Sequence, residues 1–301
     1  MNGELELKVT QVSTRNGYQY QCLEITILDD SGRIQPDVLR SLKLPADLDL
    51  SQGVILWGAC PTWLAGYLVE RCQSAPWVGC YNLPSGSVVV VASNSPELAI
   101  ADSFRFVPNR PLGNALLIGG PPDSGKSVLS YTLSSCLKAK RRDKAVHLHR
   151  AQWDGEGNWF HETNDRDMAE ELSLRYKAAW SDRFFLYHGN AVSNIREAVD
   201  LVFVDFGGRF QRRDVTLLNS CTHYIIISKE PELIPQWHDF CRKEGGLMPV
   251  AVIHSVLEER CDVLQTEPFV EIIAGPWQRG KTTNVPNVLL DEVMKLLTPE
   301  S

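Results

Sequence analysis

The sequence predicts an α/β protein in two domains: a small mixed α/β unit over residues 1–108, and over residues 109–301 a three-layer α/β domain with a mainly parallel sheet. Three observations carry this expectation. The chain has 301 residues, and domains run to about 150 residues each. From residue 115 on, short apolar runs alternate with stretches that suit helices, as in βαβ units over a buried parallel sheet. Between the halves, FVPNRPLG at 106–113 carries two prolines and a glycine, as linkers do.

In the first half, Leu5, Leu7 and Val9 alternate with polar residues, and residues 18–28 are rich in β-formers, so both read as strands. Asn16-Gly17 between them is a hairpin-turn signal. Residues 36–44 open on Pro36 and suit a short helix. GVILWG at 53–58 is a compact apolar strand, and PTWLAGYLVERC at 61–72 suits a helix with Pro61 in its first turn. Residues 77–81 and 87–92 are two more strands, and Trp63 and Trp77 read as core residues.

In the second half, strands are expected at 115–118, 145–148, 201–204, 224–228, 249–254 and 270–274. Helices fit between them at 127–139, 165–179, 232–244 and 288–297. His223 and His254 fall in apolar strands and read as buried, hydrogen-bonded core histidines.

The strongest chemical signal is ALLIGGPPDSGKS at 115–127. Gly120, Gly125, Lys126 and Ser127 fill G-x-x-x-x-G-K-[ST], the P-loop pattern, with an apolar strand before it and a helix-competent run after it. Glycines let successive N–H groups turn toward one anion, and the following helix adds its positive end. Gly120, Asp123, Ser124, Gly125, Lys126, Ser127 and Val128 are thereby expected to bind the phosphates of ATP or another NTP. Lys126 supplies a full charge to the β- and γ-phosphates, and the Ser127 hydroxyl ligates magnesium.

LVFVDFGG at 201–208 ends an apolar strand in Asp205, and D-x-x-G is filled by Asp205 and Gly208. This is a Walker-B arrangement, so Asp205 is expected to hold the metal or its water. Phe206 follows it, where many motor-type ATPases carry a glutamate base. That favours a kinase-like or switch-like protein over a motor. Asp154 and Glu156, in HRAQWDGEGNWFHETND, follow the second strand of this half. Ligands sit at the carboxyl ends of such strands, and a carboxylate there can orient an attacking hydroxyl or water. The same D-G and E-G pairs are also ordinary turn residues. The catalytic set expected is therefore Lys126, Asp154, Glu156 and Asp205. Arg279, in AGPWQRGK after the last strand, is either a base or phosphate contact or a solvated arginine.

Charge narrows the partners. The net charge is -7, with 7 Lys/Arg against 11 Asp/Glu in residues 1–108 and 23 against 26 in the remainder. Neither half is a basic footprint, so long nucleic acid is not an expected partner, while a small anion held by a few amides is. The eight cysteines form no C-x-x-C pair, which argues against a zinc ribbon. Residues 1–11 are charged and alternating rather than a signal peptide, and no apolar run approaches the ~20 residues of a membrane span. A cytoplasmic protein with reduced thiols is expected.

Residues 53–92, GVILWGACPTWLAGYLVERCQSAPWVGCYNLPSGSVVVVA, resemble the ring nucleases, small accessory proteins of type III CRISPR systems. That family's pattern is a G-V-I/V-I-S-G strand, a P-I-W-L-x-x-x-L-V-H helix, then W/F-V-A-x-Y-D-P-R-L-G-A-V-V-V. It is met here by Gly53, Val54, Gly58, Pro61, Trp63, Leu64, Leu68, Val69, Trp77, Val78, Tyr81, Gly86 and the valines 88–91. The resemblance spans residues 4–107, and WDGEGNW and VDFGGR look like the P-loop domains fused to some members. It implies binding of cyclic oligoadenylate, ring cleavage with manganese support, and dimers that sandwich the ring.

The departures from that pattern bear on activity. The family's Tyr-Asp-Pro-Arg is here Tyr81-Asn82-Leu83-Pro84, the expected histidine falls at or near Gln73, and residues 1–108 contain no histidine. RNA cleavage needs a base, a metal ligand or a charge, and an amide is none of these. The resemblance therefore implies a degenerate cleavage site that still contacts the messenger through Tyr81, Asn82 and Gln73. Two alternatives stay open: a ring nuclease completed by a histidine of the second half such as His161, and a non-catalytic module that sequesters the messenger or only dimerises.

Overall fold

The computed structural model describes residues 5–13, 19–28, 34–108, 110–151, 167, 168, 171, 182–208, 215–278 and 284–297. The chain divides into two compact units, Met1–Pro108 and Asn109–Ser301.

The first unit is built on one sheet whose six strands lie side by side in chain order. They are β1 (Leu5–Ser13), β2 (Gln19–Ile27), β3 (Gly53–Trp57), β4 (Trp77–Asn82), β5 (Ser87–Ser93) and β6 (Ser103–Arg105). β1 and β2 pair antiparallel from Leu5↔Ile27 to Ser13↔Gln19; the Asn16-Gly17 turn between them lies outside the described residues. β2, β3 and β4 run parallel, and β5 and β6 return antiparallel. Parallel neighbours need crossovers. A 3₁₀ turn at Pro36–Arg40 lies in the first, and α1 (Thr62–Arg71) forms the second.

The period of two along each strand gives this sheet two cores. Leu23, Ile25, Val54, Leu56 and Val78 pack with Leu64 and Leu68 of α1. Tyr20, Cys22, Ile55, Trp77, Val88 and Val90 face the other way, with Phe106. Trp77 is buried against Tyr20, and Trp63 is partly buried on the α1 side. Pro61 is the N-cap of α1 rather than part of its first turn. Its carbonyl accepts the N–H groups of Leu64 and Ala65 at 3.0 and 3.1 Å, a role that needs no N–H of its own.

Gly66 lies mid-helix on the exposed face of α1, and a side chain there would meet nothing within 4 Å. Glycine in a helix interior is worse than alanine by about 0.5–1 kcal/mol. Gly66→Ala is expected to raise the stability of this unit by about that amount in urea denaturation. A lower midpoint would mean that something covers this face.

The second unit holds seven strands in the order β12-β13-β11-β10-β7-β9-β8. These are β7 (Asn114–Gly119), β8 (Val146–Ala151), β9 (Leu201–Phe206), β10 (His223–Ser228), β11 (Met248–Ser255), β12 (Arg260–Gln265) and β13 (Val270–Gly275). All neighbours are parallel except β12, which pairs antiparallel with β13 at the edge. β9 and β10 are buried along their whole length, which is why LVFVDF and HYIIIS read as continuous apolar runs. The helices are α2 (Lys126–Lys140), α3 (Asp182–Arg196), α4 (Val215–Leu218), α5 (Ile234–Asp239) and α6 (Asn287–Lys295). α2 lays Leu129, Leu133 and Leu137, spaced four apart, on the sheet.

Three sequence expectations change here. β12, RCDVLQ, is exposed at every residue but the last; an edge strand without a buried face shows no apolar alternation. The helix at 232–244 is composite: a 3₁₀ turn Pro231–Leu233, α5, then a π-helical turn Phe240–Glu244. α3 was hidden by Gly189 and Asn190 in mid-helix, both poor helix formers. Of the helix expected at 165–179, only residues 167, 168 and 171 are described, and they are helical. Among the described residues no helix is long and apolar enough to cross a membrane.

Candidate functional site

β7 leads straight into the loop 120–125, and α2 begins at Lys126. Gly120 has φ +149°, and any side chain there would collide with the carbonyl oxygen of Ile227 on β10. Gly125, at φ +91°, is the N-cap of α2. Asp123 is also left-handed, with φ +57°, a conformation aspartate tolerates better than most side chains. Three positive-φ residues within six bend the loop tightly around the N-terminus of α2. Ser124 is buried, and its Oγ accepts the N–H of Lys229 at 3.4 Å, which ties the loop to the end of β10. Lys126 is only 7% exposed, and its Nζ donates to the carbonyl of Pro121 at 2.7 Å. The ammonium therefore lies folded over its own loop. Ser127 is half-buried in the first turn of α2, and Val128 packs on the core.

Sheet register places the acid. Leu116, Phe203 and Leu148 form one row across β7, β9 and β8 within the core beneath α2. Two residues on, therefore on the same face, Ile118, Asp205 and Arg150 form the next row. Asp205 thus sits beside the strand that enters the loop, at the carboxyl edge of the sheet. It is 1% exposed. Gly208 lies just beyond, where a side chain would stand 2.8 Å from the backbone nitrogen of Pro122 in the loop.

Two residues of this site were not anticipated. Arg150 places Nη2 at 3.6 Å from Oδ2 of Asp205, with 8% of its side chain exposed. Its one sequence signal was a cation near the end of the strand VHLHRA. Trp277 is buried, its indole N–H donates to Ala274 at 2.9 Å, and it abuts the site where Gly125 has no side chain. The segment after β13 therefore touches the loop. Arg279 of that segment, and Asp154, Glu156 and His161, lie outside the described residues.

In the first unit, Tyr81 stacks on Trp57 with ring centroids 5.0 Å apart and planes 13° apart, and its hydroxyl is buried. Asn82 is exposed, and its Oδ1 accepts the N–H of Ser85 at 3.4 Å as a turn residue does. Gln73 follows α1 and uses its carbonyl to accept from the Asn94 amide at 3.1 Å. Gln73 precedes the start of β4, whereas Tyr81 and Asn82 end it. The strand's six residues rise about 3.3 Å each, so roughly 17 Å separates the two positions. They do not converge within one chain.

Residues 27–105 match a CRISPR-associated family. The family model is that of the CRISPR-associated protein (Cas_csx3), and it spans the end of β2 through β6. Solved structures add distant likenesses. The septum site-determining protein MinD of Pyrococcus horikoshii, complexed with Mg-ADP, is 13% identical over 48% of this chain and 70% of its own, with a TM-score of 0.36. A DUF1611 family protein of Anabaena variabilis is 13% identical over 67% of each chain, with a TM-score of 0.33. The signal recognition particle 54 kDa protein of Aeropyrum pernix, in complex with GDP, is 13% identical over 65% of this chain and 42% of its own, with a TM-score of 0.32.

The donor set suits a nucleotide and a hard cation. Ser127 and Asp205 offer a hydroxyl and a carboxylate, the oxygen ligands magnesium takes. Lys126 and the start of α2 offer positive charge to phosphates. Among the described residues, no three His, Cys, Asp or Glu side chains gather into a metal cluster of their own.

β8 also carries two histidines. His149 Nε2 and His188 Nδ1 of α3 share a hydrogen bond of 2.8 Å. Burial pushes His149 down to about 3, and His147 and His188 down to about 4. All three are neutral in the folded unit at pH 7, whereas the unfolded chain takes up protons below about 6.5. Their contribution is complete above that pH and is lost as pH falls toward 4, at about 1.4 kcal/mol per pH unit for each histidine kept neutral. Melting temperature is expected to fall steadily from pH 6.5 to 4.5, and His188→Leu to flatten that slope. An unchanged slope in the variant would show that the pair is protonated in the native state. His223 is buried and bonded to Thr222 Oγ1 at 2.8 Å. His254 is only half-buried, and pairs through Nε2 with Glu271 at 2.7 Å rather than lying in the core.

Proposed function

We propose that this protein acts in CRISPR-associated defence by joining a nucleotide site in its second unit to a messenger site in its first. The second unit binds ATP or another NTP with magnesium and cleaves or transfers its terminal phosphate; the first binds cyclic oligoadenylate. One observation supports the nucleotide site above all others: the loop is held left-handed at Gly120 and Gly125, with Asp205 in register beside it.

The roles follow from position. Lys126 leaves the Pro121 carbonyl for the β- and γ-phosphate oxygens, exchanging a neutral acceptor for an anionic one. The backbone N–H groups from Ser124 to Ser127 cradle the phosphates. Ser127 and Asp205 hold magnesium, which when bound offsets the triphosphate's charge. The residue after Asp205 is the buried Phe206, and β9 lies directly beside β7 with no strand between them to carry a second acid. That supports a kinase-like or switch-like activity over a motor.

In the first unit, the absence of histidine and the distance between Gln73 and Asn82 favour binding of the ring over its cleavage. Two copies of the chain would bring those residues to one ligand. Mass spectrometry of the products from Mg·ATP, with and without cyclic oligoadenylate, tests both halves. Loss of the γ-phosphate, at a rate the messenger alters, with the ring intact is the expected result. Ring opening that persists in Lys126→Ala would overturn the reading that the first unit binds the ring without cleaving it; failure to bind the ring would overturn the messenger assignment. Failure to bind millimolar Mg·ATP would overturn the nucleotide assignment.

A further inference from the structure

We propose that the second unit carries a further ligand site, at the opposite end of its sheet from the loop 120–125, and that this site takes a nucleoside monophosphate. The site is a cavity of about 580 Å³, within the roughly 300–1,000 Å³ of sites for small organic ligands. Tyr224 and Pro249 are the second residues of β10 and β11, and Phe269 directly precedes β13. The cavity therefore opens where three neighbouring strands begin. The loop lies against the Ile227 carbonyl, three residues further along β10. At about 3.3 Å per residue, roughly 10 Å of buried strand separates the two places.

Two walls of different chemistry face this cavity. One is aromatic. His238 stands between Tyr224 and Phe269, with ring centroids 5.6 and 5.5 Å away. The Tyr224 hydroxyl and His238 Nδ1 share a hydrogen bond of 2.7 Å. Phe269 is half-buried, which leaves part of its ring to the cavity. The other wall is cationic. Arg242 and Lys243 come from the π-helical turn Phe240–Glu244, and π-turns are rare and recur at functional sites.

The charges select the ligand. Burial raises the Tyr224 phenol to about 12 and lowers His238, so both rings are neutral at pH 7, and the charge of Arg242 acts on both. Two carboxylates also act on His238, Glu271 and Asp239. Each is bonded elsewhere, to His254 at 2.7 Å and to Lys243 at 2.9 Å. Arg242 is therefore the cation with which an incoming anion pairs. Its planar fork matches a phosphate in two parallel hydrogen bonds. Aromatic rings accept any base by stacking. Inorganic phosphate leaves the aromatic wall in water, and a nucleoside leaves Arg242 without its anion. A nucleoside monophosphate supplies both parts.

Calorimetric titration of the full chain with AMP, without magnesium, tests this. Adenosine and inorganic phosphate are the comparison ligands, and Arg242→Met, Phe269→Leu and Lys126→Ala the variants. AMP is expected to bind, with adenosine and phosphate weaker by about tenfold or more. Arg242→Met and Phe269→Leu are each expected to weaken AMP about tenfold, and Lys126→Ala to leave it within about twofold. Should Phe269→Leu not fold, Arg242→Met decides, because Arg242 is exposed. AMP binding that falls in Lys126→Ala and survives Arg242→Met would place the ligand on the loop 120–125 and overturn the proposal. So would a wild type that binds no AMP, or one that binds phosphate as tightly as AMP. A wild type that binds AMP in this pattern but no Mg·ATP would sink the nucleotide loop and leave this site standing.

Discussion

Lys126→Ala is expected to lower Mg·ATP affinity by about 100-fold or more and to reduce phosphate release by about 10²–10³-fold, in a protein that remains folded. A hydrogen bond to a charged group contributes about 1.5–3 kcal/mol, and Lys126 is positioned for two phosphates. Removal of a donor aimed at developing charge costs about 10²–10³ in rate. The folded state has less at stake. Lys126 makes a bond to the Pro121 carbonyl, and deletion exchanges that bond for the relief of a buried charge. Calorimetry, phosphate release and circular dichroism on one preparation read all three quantities. Undiminished affinity in the variant would remove the loop from the mechanism altogether.

Gly120→Ala is expected to damage the fold as well as the site. At φ +149° the added carbon meets backbone, the Ile227 carbonyl of the adjacent β10, rather than a side chain that can turn aside. A left-handed non-glycine residue costs about 1–2 kcal/mol, and the collision adds more because β10 is buried on both faces. A total loss of about 3 kcal/mol or more corresponds to roughly 6–12 °C in melting temperature for a unit of this size. Nucleotide binding should be lost in parallel. Gly66→Ala supplies the control, since that position is open. A Gly120→Ala protein that melts with wild type would show that the loop is not held against β10.

The bent loop at 120–125 was legible in the sequence because its physics is local. Glycines at 120 and 125, a lysine and a hydroxyl in consecutive positions, and a helix-competent run together define the cradle without reference to any distant residue. β9 and β10 were legible because burial on both faces leaves no polar alternation to confuse with a helix. Asp205 was legible because a carboxylate at the end of such a strand has no place in a core. β12 was not, since an exposed edge strand carries Arg260 and Asp262 as readily as any loop does.

What local sequence determined is therefore a set of local shapes: a glycine-bent loop at the start of α2, a carboxylate at the end of the buried β9, and a small strand-rich unit ahead of them. Which side chains share the cradle was decided by strand order. Arg150 precedes Asp205 by more than fifty residues and becomes its neighbour only because β8 pairs with β9 in register. Tyr81 and Gln73 are eight residues apart in the chain, yet β4 runs between them and carries them to opposite ends. Spacing along a chain sets contacts within a turn or a helix, whereas hydrogen bonding between strands sets them across a sheet. No single segment records that pairing.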